Sequence, residues 1–224
     1  MSEPSRGGPA APGSTERTRV RRLPEKAVVD RAGLHAVLDA GFVAHVSVGG
    51  PDGQPYVVPV AYARDGERVL FHGSTGSRLF RGLAAGEPTC LTVTLLDGFV
   101  LARSVFESSM NYRSAMVLGV CHELTGAKKL DALQRITDHL LPGRWAEDRH
   151  PSAKELAATT VLALTLDETS VKVSDGPPDD PPEDVTRQVW AGVVPLTQRF
   201  GRPVAAPDLA YDLPVPDYVR RWRR

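Results

Sequence analysis

Apolar residues recur along this chain in two rhythms. From Asp30 to Gly41, Leu34, Val37 and Leu38 fall at i, i+3 and i+4 behind a capping Asp30, and Gly41 stands where a helix stops, so the spacing predicts one short helix. Phe42 to Val48 then mixes apolar and β-branched residues and ends in the turn-rich GGPDGQP, ahead of a second β-rich run, Tyr56 to Ala63. Asp65-Gly66 separates that run from Arg68 to His72, and Asp97-Gly98 separates Cys90 to Leu96 from Phe99 to Val105. Five β-rich runs joined by tight turns, with one intervening helix, predict antiparallel hairpins in place of alternating βαβ units.

The intervening helix is expected from about Ser77 to Ala85, with Leu79, Phe80 and Leu83 as its apolar stripe, and it opens directly out of GSTGS. Ser114 to Leu124 is β-rich. Leu130, Leu133, Ile136, Leu140 and Leu141 then share one face of a longer helix that Pro142-Gly143 breaks. A short helix around Ser152 to Ala158 leads into β character from Thr159 to Val173. The resulting division is a mobile tail over 1–22, a main β-barrel domain with flanking helices over 23–175, an acidic Pro-rich linker or flap over 176–185 (PPDDPPEDV), a final strand within 186–200 (VWAGVVPL), and an extended tail over 201–224 ending in RRWRR. Arg17, Arg19, Arg21 and Arg22 crowd the end of the first tail, either as a solvated flank or as a strap laying positive charge beside an anionic ligand or partner subunit.

Composition narrows the classes. The chain has 224 residues, 27 Lys+Arg against 27 Asp+Glu, and no net charge, so there is no global basic field and no nucleic-acid partner is expected. Its length allows a sizeable core. Cys90 and Cys121 are too few for a disulfide framework or a four-ligand zinc site, no stretch reaches the ~18 apolar residues of a membrane span, and residues 1–22 lack a signal-peptide core. A cytoplasmic protein without a membrane partner is expected.

The chemistry concentrates in two segments. In Phe71-His-Gly-Ser-Thr-Gly-Ser-Arg78 a strand ends, two glycines permit tight backbone geometry and a helix begins. Exposed N–H groups, the hydroxyls of Ser74, Thr75 and Ser77, and the Arg78 guanidinium suit a phosphate there, with an ordinary capped turn as the alternative. No Lys follows the second Gly, and the dinucleotide glycine spacing is missing. Ser108-Ser-Met-Asn-Tyr-Arg-Ser114 gathers hydroxyl, amide, phenol and guanidinium groups before an apolar strand, as a polar loop or as partners for a heteroaromatic edge, with Arg113 the member placed to meet an anion. His45, His72 and His122 fall on predicted strands, where a core imidazole is the common outcome. Neither a G-x-S-x-G elbow nor a His-Glu-x-x-His or Cys-x-x-Cys motif is present, so hydrolase and zinc readings lack support. Cys121 and His122, as neighbours on a predicted strand, point to opposite faces, which argues against joint ligation of one ion.

The order of RRLPEKAVVDRAGLHAVLDAGFVAHVSV, QPYVVPVAY, LFHGSTGSRLFRGL, TVTLLDGFVLARSVFESSMNYRSAMVLG, LLPGRW and VWAGVVPL closely resembles the pyridoxamine 5′-phosphate oxidase-like superfamily, in its flavin-nucleotide-binding, nitroimidazole-reductase-like branch. The resemblance covers roughly Arg17 to Leu196. It implies an FMN-binding split barrel of antiparallel strands, a homodimer, and FMN in the groove between subunits. It implies phosphate contacts from Ser74, Ser77 and Arg78, and His72 near the flavin as the catalytic candidate. It places Val58 and Pro59 beside the ring, Asn111, Tyr112, Arg113 and Ser114 along the dimer groove, and Trp190 near the isoalloxazine. The implied activity is electron transfer from NADH or NADPH to a small organic acceptor, the cofactor carrying the chemistry. Relatives on the same barrel leave a non-catalytic flavin- or haem-binding module, a deazaflavin-dependent reductase and a natural-product tailoring oxidase as alternatives. The chain departs from the vitamin-B6 enzymes near its C-terminus, where PPDDPPED and RRWRR stand in place of their substrate-phosphate pattern.

Overall fold

The computed structural model describes residues 9–50 and 52–222; Pro51 of the first turn, the first eight residues of the N-terminal segment and the last two arginines lie outside the described residues. The elements run α1 (Arg31–Ala40), β1 (Val43–Gly49), β2 (Pro55–Asp65), β3 (Arg68–Ser74), α2 (Arg78–Ala84), β4 (Pro88–Leu101), β5 (Ser109–Val120), β6 (His122–Glu123), α3 (Gly126–Leu140), α4 (Arg144–Glu147), α5 (Ala153–Ala157), β7 (Thr159–Thr165), β8 (Glu168–Ser174), β9 (Gly192–Pro195) and α6 (Asp217–Arg220). Every ladder is antiparallel, and the strands follow the order β6-β7-β3-β2-β1-β4-β5-β8, with β9 added to the C-terminal half of β4. This curled sheet with flanking helices is the mainly β split barrel.

The core follows from the strand alternation. Leu34, Val37 and Leu38 of α1 are buried in one core cluster with Val46, Tyr62, Val93 and Leu164, and the Tyr62 hydroxyl donates to Leu38 O at 2.6 Å, tying α1 to β2. Asp30 caps α1 as its position predicts, accepting from Gly33 N at 2.7 Å. On the other face of β3 and β7, α3 lays Ala132, Leu133 and Ile136 over Leu70 and Val161.

Three regions differ from the sequence pattern. Asp97-Gly98 is not a hairpin turn: β4 runs unbroken from Pro88 to Leu101, and the register shifts between Leu96 and Gly98, a β-bulge. Gly98 has no left-handed φ, unlike Gly66 at +58° in the true β2–β3 turn. A Cβ on Gly98 would stand 2.8 Å from Val194 O, so the glycine there lets β9 approach. Second, Asn111 to Ser114 belong to β5, which opens at Ser109, and do not form a loop before it.

Third, the described part of the first segment is attached to β8 through polar groups. Gly13 N donates to Thr169 O at 2.7 Å, Arg17 pairs with Glu168, and Thr18 is buried. The poverty of apolar residues in this segment speaks only to apolar burial. Likewise Asp180 of the acidic segment accepts from Arg103 N at 2.6 Å and from its guanidinium at 2.8 Å, with its carboxylate almost wholly enclosed.

Candidate functional site

The sheet splits where β2 and β3 part. Their pairing runs from Asp65↔Arg68 to Tyr62↔Phe71 and stops. Beyond it, Pro55 to Ala61 pair only with β1, and His72, Gly73 and Ser74 pair only with Val161, Thr160 and Thr159 of β7. The free edge of β2 therefore faces a gap closed on its far side by the β3–α2 junction. Extending the broken register sets Val58 and Pro59 across from Ser74 and Thr75.

Local packing fixes that junction. A Cβ on Gly73 would meet the Phe80 ring at 2.2 Å, so only glycine admits α2 this close to β3. The loop consumes its own first donors: Thr75 N bonds Ala158 O at 3.0 Å, Gly76 N bonds Ser74 Oγ at 3.2 Å and Ser77 N bonds Ser74 O at 3.0 Å. Ser74 thus holds the turn together, while Ser77 caps α2 by position without a side-chain bond. The cations remain available. Arg78 lies over the Tyr56 ring at 4.8 Å, bridging the gap from α2 to β2. Arg78 and Arg81 line a cleft of about 440 Å³ with Val48, Gly49 and Gly82, and neither forms an ion pair among the described residues; Glu87 is the acid at its edge. His72 has its pKa lowered by desolvation from the surrounding protein although its ring reaches solvent, so it stands neutral at pH 7.

The second predicted group does not join this cleft within one chain, because β1 and β4 stand between β2 and β5. Asn111 is buried, its amide donating to Gly176 O at 3.0 Å and accepting from Ser174 Oγ at 3.5 Å. Arg113 meets a fixed anion of its own chain: two bonds to Asp97, at 2.8 and 2.7 Å, raise its pKa. Tyr112 and Ser114 are half-buried on the same strand. Trp190 is exposed before β9, with its ring over Gly192 at the Leu101 end of β4. Of the predicted residues only Arg78 lines this cleft; Val58 and Pro59 lie on the unpaired edge of β2, His72, Ser74 and Ser77 lie at the β3–α2 junction, and Asn111, Tyr112, Arg113, Ser114 and Trp190 lie apart from both. The structure adds Tyr56 and Arg81, both legible in principle: Tyr56 shares β2 with Val58, and Arg81 lies one helical turn after Arg78.

A larger cleft, of about 1110 Å³, opens between the barrel and the C-terminal segment. Phe42, Leu95, Leu96 and His139 form the barrel side; Arg199, Phe200 and Trp222 form the other. Phe200 bridges Phe42 and Trp222 at ring separations of 6.2 and 5.8 Å. Cys121 is buried, which pushes its thiol up to about 12 and leaves it unreactive. Among the described residues no group of three or more His, Cys, Asp or Glu could hold a metal ion.

A curled antiparallel sheet that parts between two neighbouring strands and is flanked by helices defines a split-barrel protein. The chain belongs to the pyridoxamine 5′-phosphate oxidase family, whose sequence pattern matches residues 30–173. It is similar to the FAD and heme binding protein from Mycobacterium smegmatis, with 45% identity and a TM-score of 0.83 over 87% of this chain and 96% of that one. It is also similar to the flavocytochrome Anf3 from Azotobacter vinelandii, with 40% identity and a TM-score of 0.89 over 96% of this chain and 99% of the other. A putative 5-nitroimidazole antibiotic resistance protein from Bacteroides thetaiotaomicron shares the fold alone, with 21% identity and a TM-score of 0.54 over 66% of this chain and 86% of that one. No curated protein matches the chain.

Proposed function

We propose that this chain is a flavin-nucleotide-binding redox protein of flavocytochrome type, with a haem as its second cofactor. The observation that carries the flavin half is the pair of arginines, Arg78 and Arg81, lining the cleft between α2 and the end of β1 without an ion-pair partner among the described residues, with Arg78 reaching the Tyr56 ring of β2. Unpaired guanidinium groups beside an open polar strand edge fit a nucleotide phosphate. The haem half rests on near full-length similarity to proteins named for FAD with haem and as a flavocytochrome.

Arg78 and Arg81 bind the phosphate and Ser77 adds a hydroxyl; Val58 and Pro59 present the free backbone edge of β2 to the ring. Neutral His72 stands at the end of β3 as a hydrogen-bond partner that can hold or pass a proton. A flavin held there would supply hydride and electron-transfer chemistry between a reduced nicotinamide and an acceptor. The family resemblance implied FMN; similarity to the FAD and heme binding protein, together with two arginines in the cleft, makes FAD the leading reading. A homodimer is part of the proposal: Val57, Val58 and Tyr56 leave apolar surface beside the gap, and a second copy would bring Tyr112, Ser114 and Trp190 to a groove they cannot reach within their own chain. We place the protein in the cytoplasm; no helix among the described residues is long and apolar enough to cross a membrane.

The test is an absorption spectrum of the purified protein, with chromatography of the chromophore that heat releases. Released FAD is the expected result; FMN would restore the mononucleotide, and a protein that takes up no flavin would remove the reading.

A further inference from the structure

The strand path of the sheet ends at β8, which pairs with β5 on one side only. A bare strand edge presents N–H and C=O groups to any second chain, and here residues 10–28 occupy it without forming a strand of their own. Gly13 N donates to Thr169 O at 2.7 Å and Val28 N to Val171 O at 3.1 Å, while Ala27 forms an isolated antiparallel bridge with Lys172. Side chains continue the cover. Thr15 and Arg17 hold the Glu168 carboxylate, Lys172 Nζ donates to Arg22 O at 3.1 Å, and Lys26 Nζ donates to Ser174 Oγ at 3.0 Å. The arm is thus fastened along β8 from Glu168 to Ser174.

The cover carries a local cost. Leu23 is the one non-glycine residue among the described residues with a left-handed φ, at 55°, a conformation that a bulky side chain keeps only under constraint, so release of the arm relieves it. What release uncovers is complementary to itself. Thr169 and Val171 turn their carbonyls towards the edge, so an antiparallel partner must set its own outward residues opposite them. With a two-fold axis at Ser170, Thr169 of one copy falls opposite Val171 of the other, and Glu168 falls opposite Lys172 twice across the join, on one face of the strands. The second copy then meets the same groups that the arm meets: the Glu168 carboxylate, the Lys172 ammonium and the outward carbonyls. We propose that the edge of β8 is a pairing surface for a second copy of this chain, closed by residues 10–28 and opened when that arm lifts. β1, β4 and β5 stand between β8 and β2, so this surface is separate from the homodimer groove proposed above and does not depend on the flavin reading.

The test lifts the arm in the full-length chain. Gly13→Pro removes the N–H that meets Thr169 O and forbids the local φ of +75°, and Arg17→Ala frees Glu168. Limited trypsin digestion at Arg19, Arg21 and Arg22 reads release, and sedimentation velocity reads association, with far-ultraviolet circular dichroism as the control for the fold. The double variant should be cut about ten-fold faster than wild type and sediment at twice the wild-type mass. Adding Ser170→Lys sets like charges opposite each other at the axis without touching an arm contact, and should return the mass to the wild-type value while cleavage stays fast. Thr15→Ala with Arg17→Ala leaves every backbone donor in place and should move both readouts in the same direction by less. Cleavage no faster than in wild type would overturn the fastening of the arm. Fast cleavage at the wild-type mass would overturn the pairing surface, and a doubled mass that survives Ser170→Lys would place the contact elsewhere than β8.

Discussion

The two clefts of this chain are built in opposite ways. The smaller cleft lies between α2 and the end of β1 inside the family's own barrel, next to the strand edge that β2 leaves unpaired, and its cations come from consecutive turns of one short helix. The larger cleft is assembled from distant parts, with α3, the bulged middle of β4 and the C-terminal segment each giving one wall. Charge separates them further. Arg78 and Arg81 face the first cleft unpaired, whereas Arg113, at the second, is already compensated by Asp97. One wall thus carries arginines without an ion pair among the described residues, and the other an arginine neutralised by its own chain.

The contrast can be broken most forcefully at the support of the larger cleft. Ile136 is 1% exposed beneath α3, the helix that carries His139, and Ile136→Ala should cost about 2–5 kcal/mol, read as a lowered urea midpoint with the flavin groove unchanged in native protein. Gly73→Ala comes next. Its Cβ would press on Phe80, and the displacement of α2 should cost about 1–3 kcal/mol and lower flavin occupancy together, because the same helix presents Arg78. Retained stability and retained flavin would show that α2 yields freely.

Smaller effects sharpen the comparison. Asp97→Asn removes the partner of half-exposed Arg113 and should cost no more than about 1 kcal/mol by thermal melting, while giving that wall a second unpaired cation. The smallest effect is that of His72 on the pH dependence of stability. Its folded pKa is lowered from 6.5, so the unfolded chain takes up a proton first: stability is complete above that value and falls as pH drops through it, until the folded form is also protonated. His72→Asn should flatten the unfolding profile just below pH 6.5, and an unaltered slope would mean that desolvation of this ring contributes nothing.

The β3–α2 junction was legible in the residues and the larger cleft was not. FHGSTGSR announces itself because glycine, hydroxyl and arginine positions act within a few residues of one another. Asp97-Gly98 misleads because the same dipeptide serves a local turn or a bulge, and only the approach of β9 from ninety-odd residues away selects the bulge. Asn111 to Ser114 read as a loop for a similar reason: their polar groups are satisfied by Asp97, Gly176 and Ser174, which no local spacing reveals. Phe200, Tyr218 and Trp222 lie among prolines without periodicity, so nothing local marks them as a wall. Arg81 was within reach, three positions beyond Arg78 on one helix face.

In the proposed function, the unpaired cations of α2 hold a flavin phosphate. Flavin titration of wild type against Arg78→Ala with Arg81→Ala, followed by quenching of flavin fluorescence, tests it most directly. Affinity is expected to weaken by about a hundred-fold or more, from two lost charge-assisted contacts of roughly 1.5–3 kcal/mol each, with circular dichroism unchanged. A folded double variant that binds flavin as tightly as wild type would contradict it.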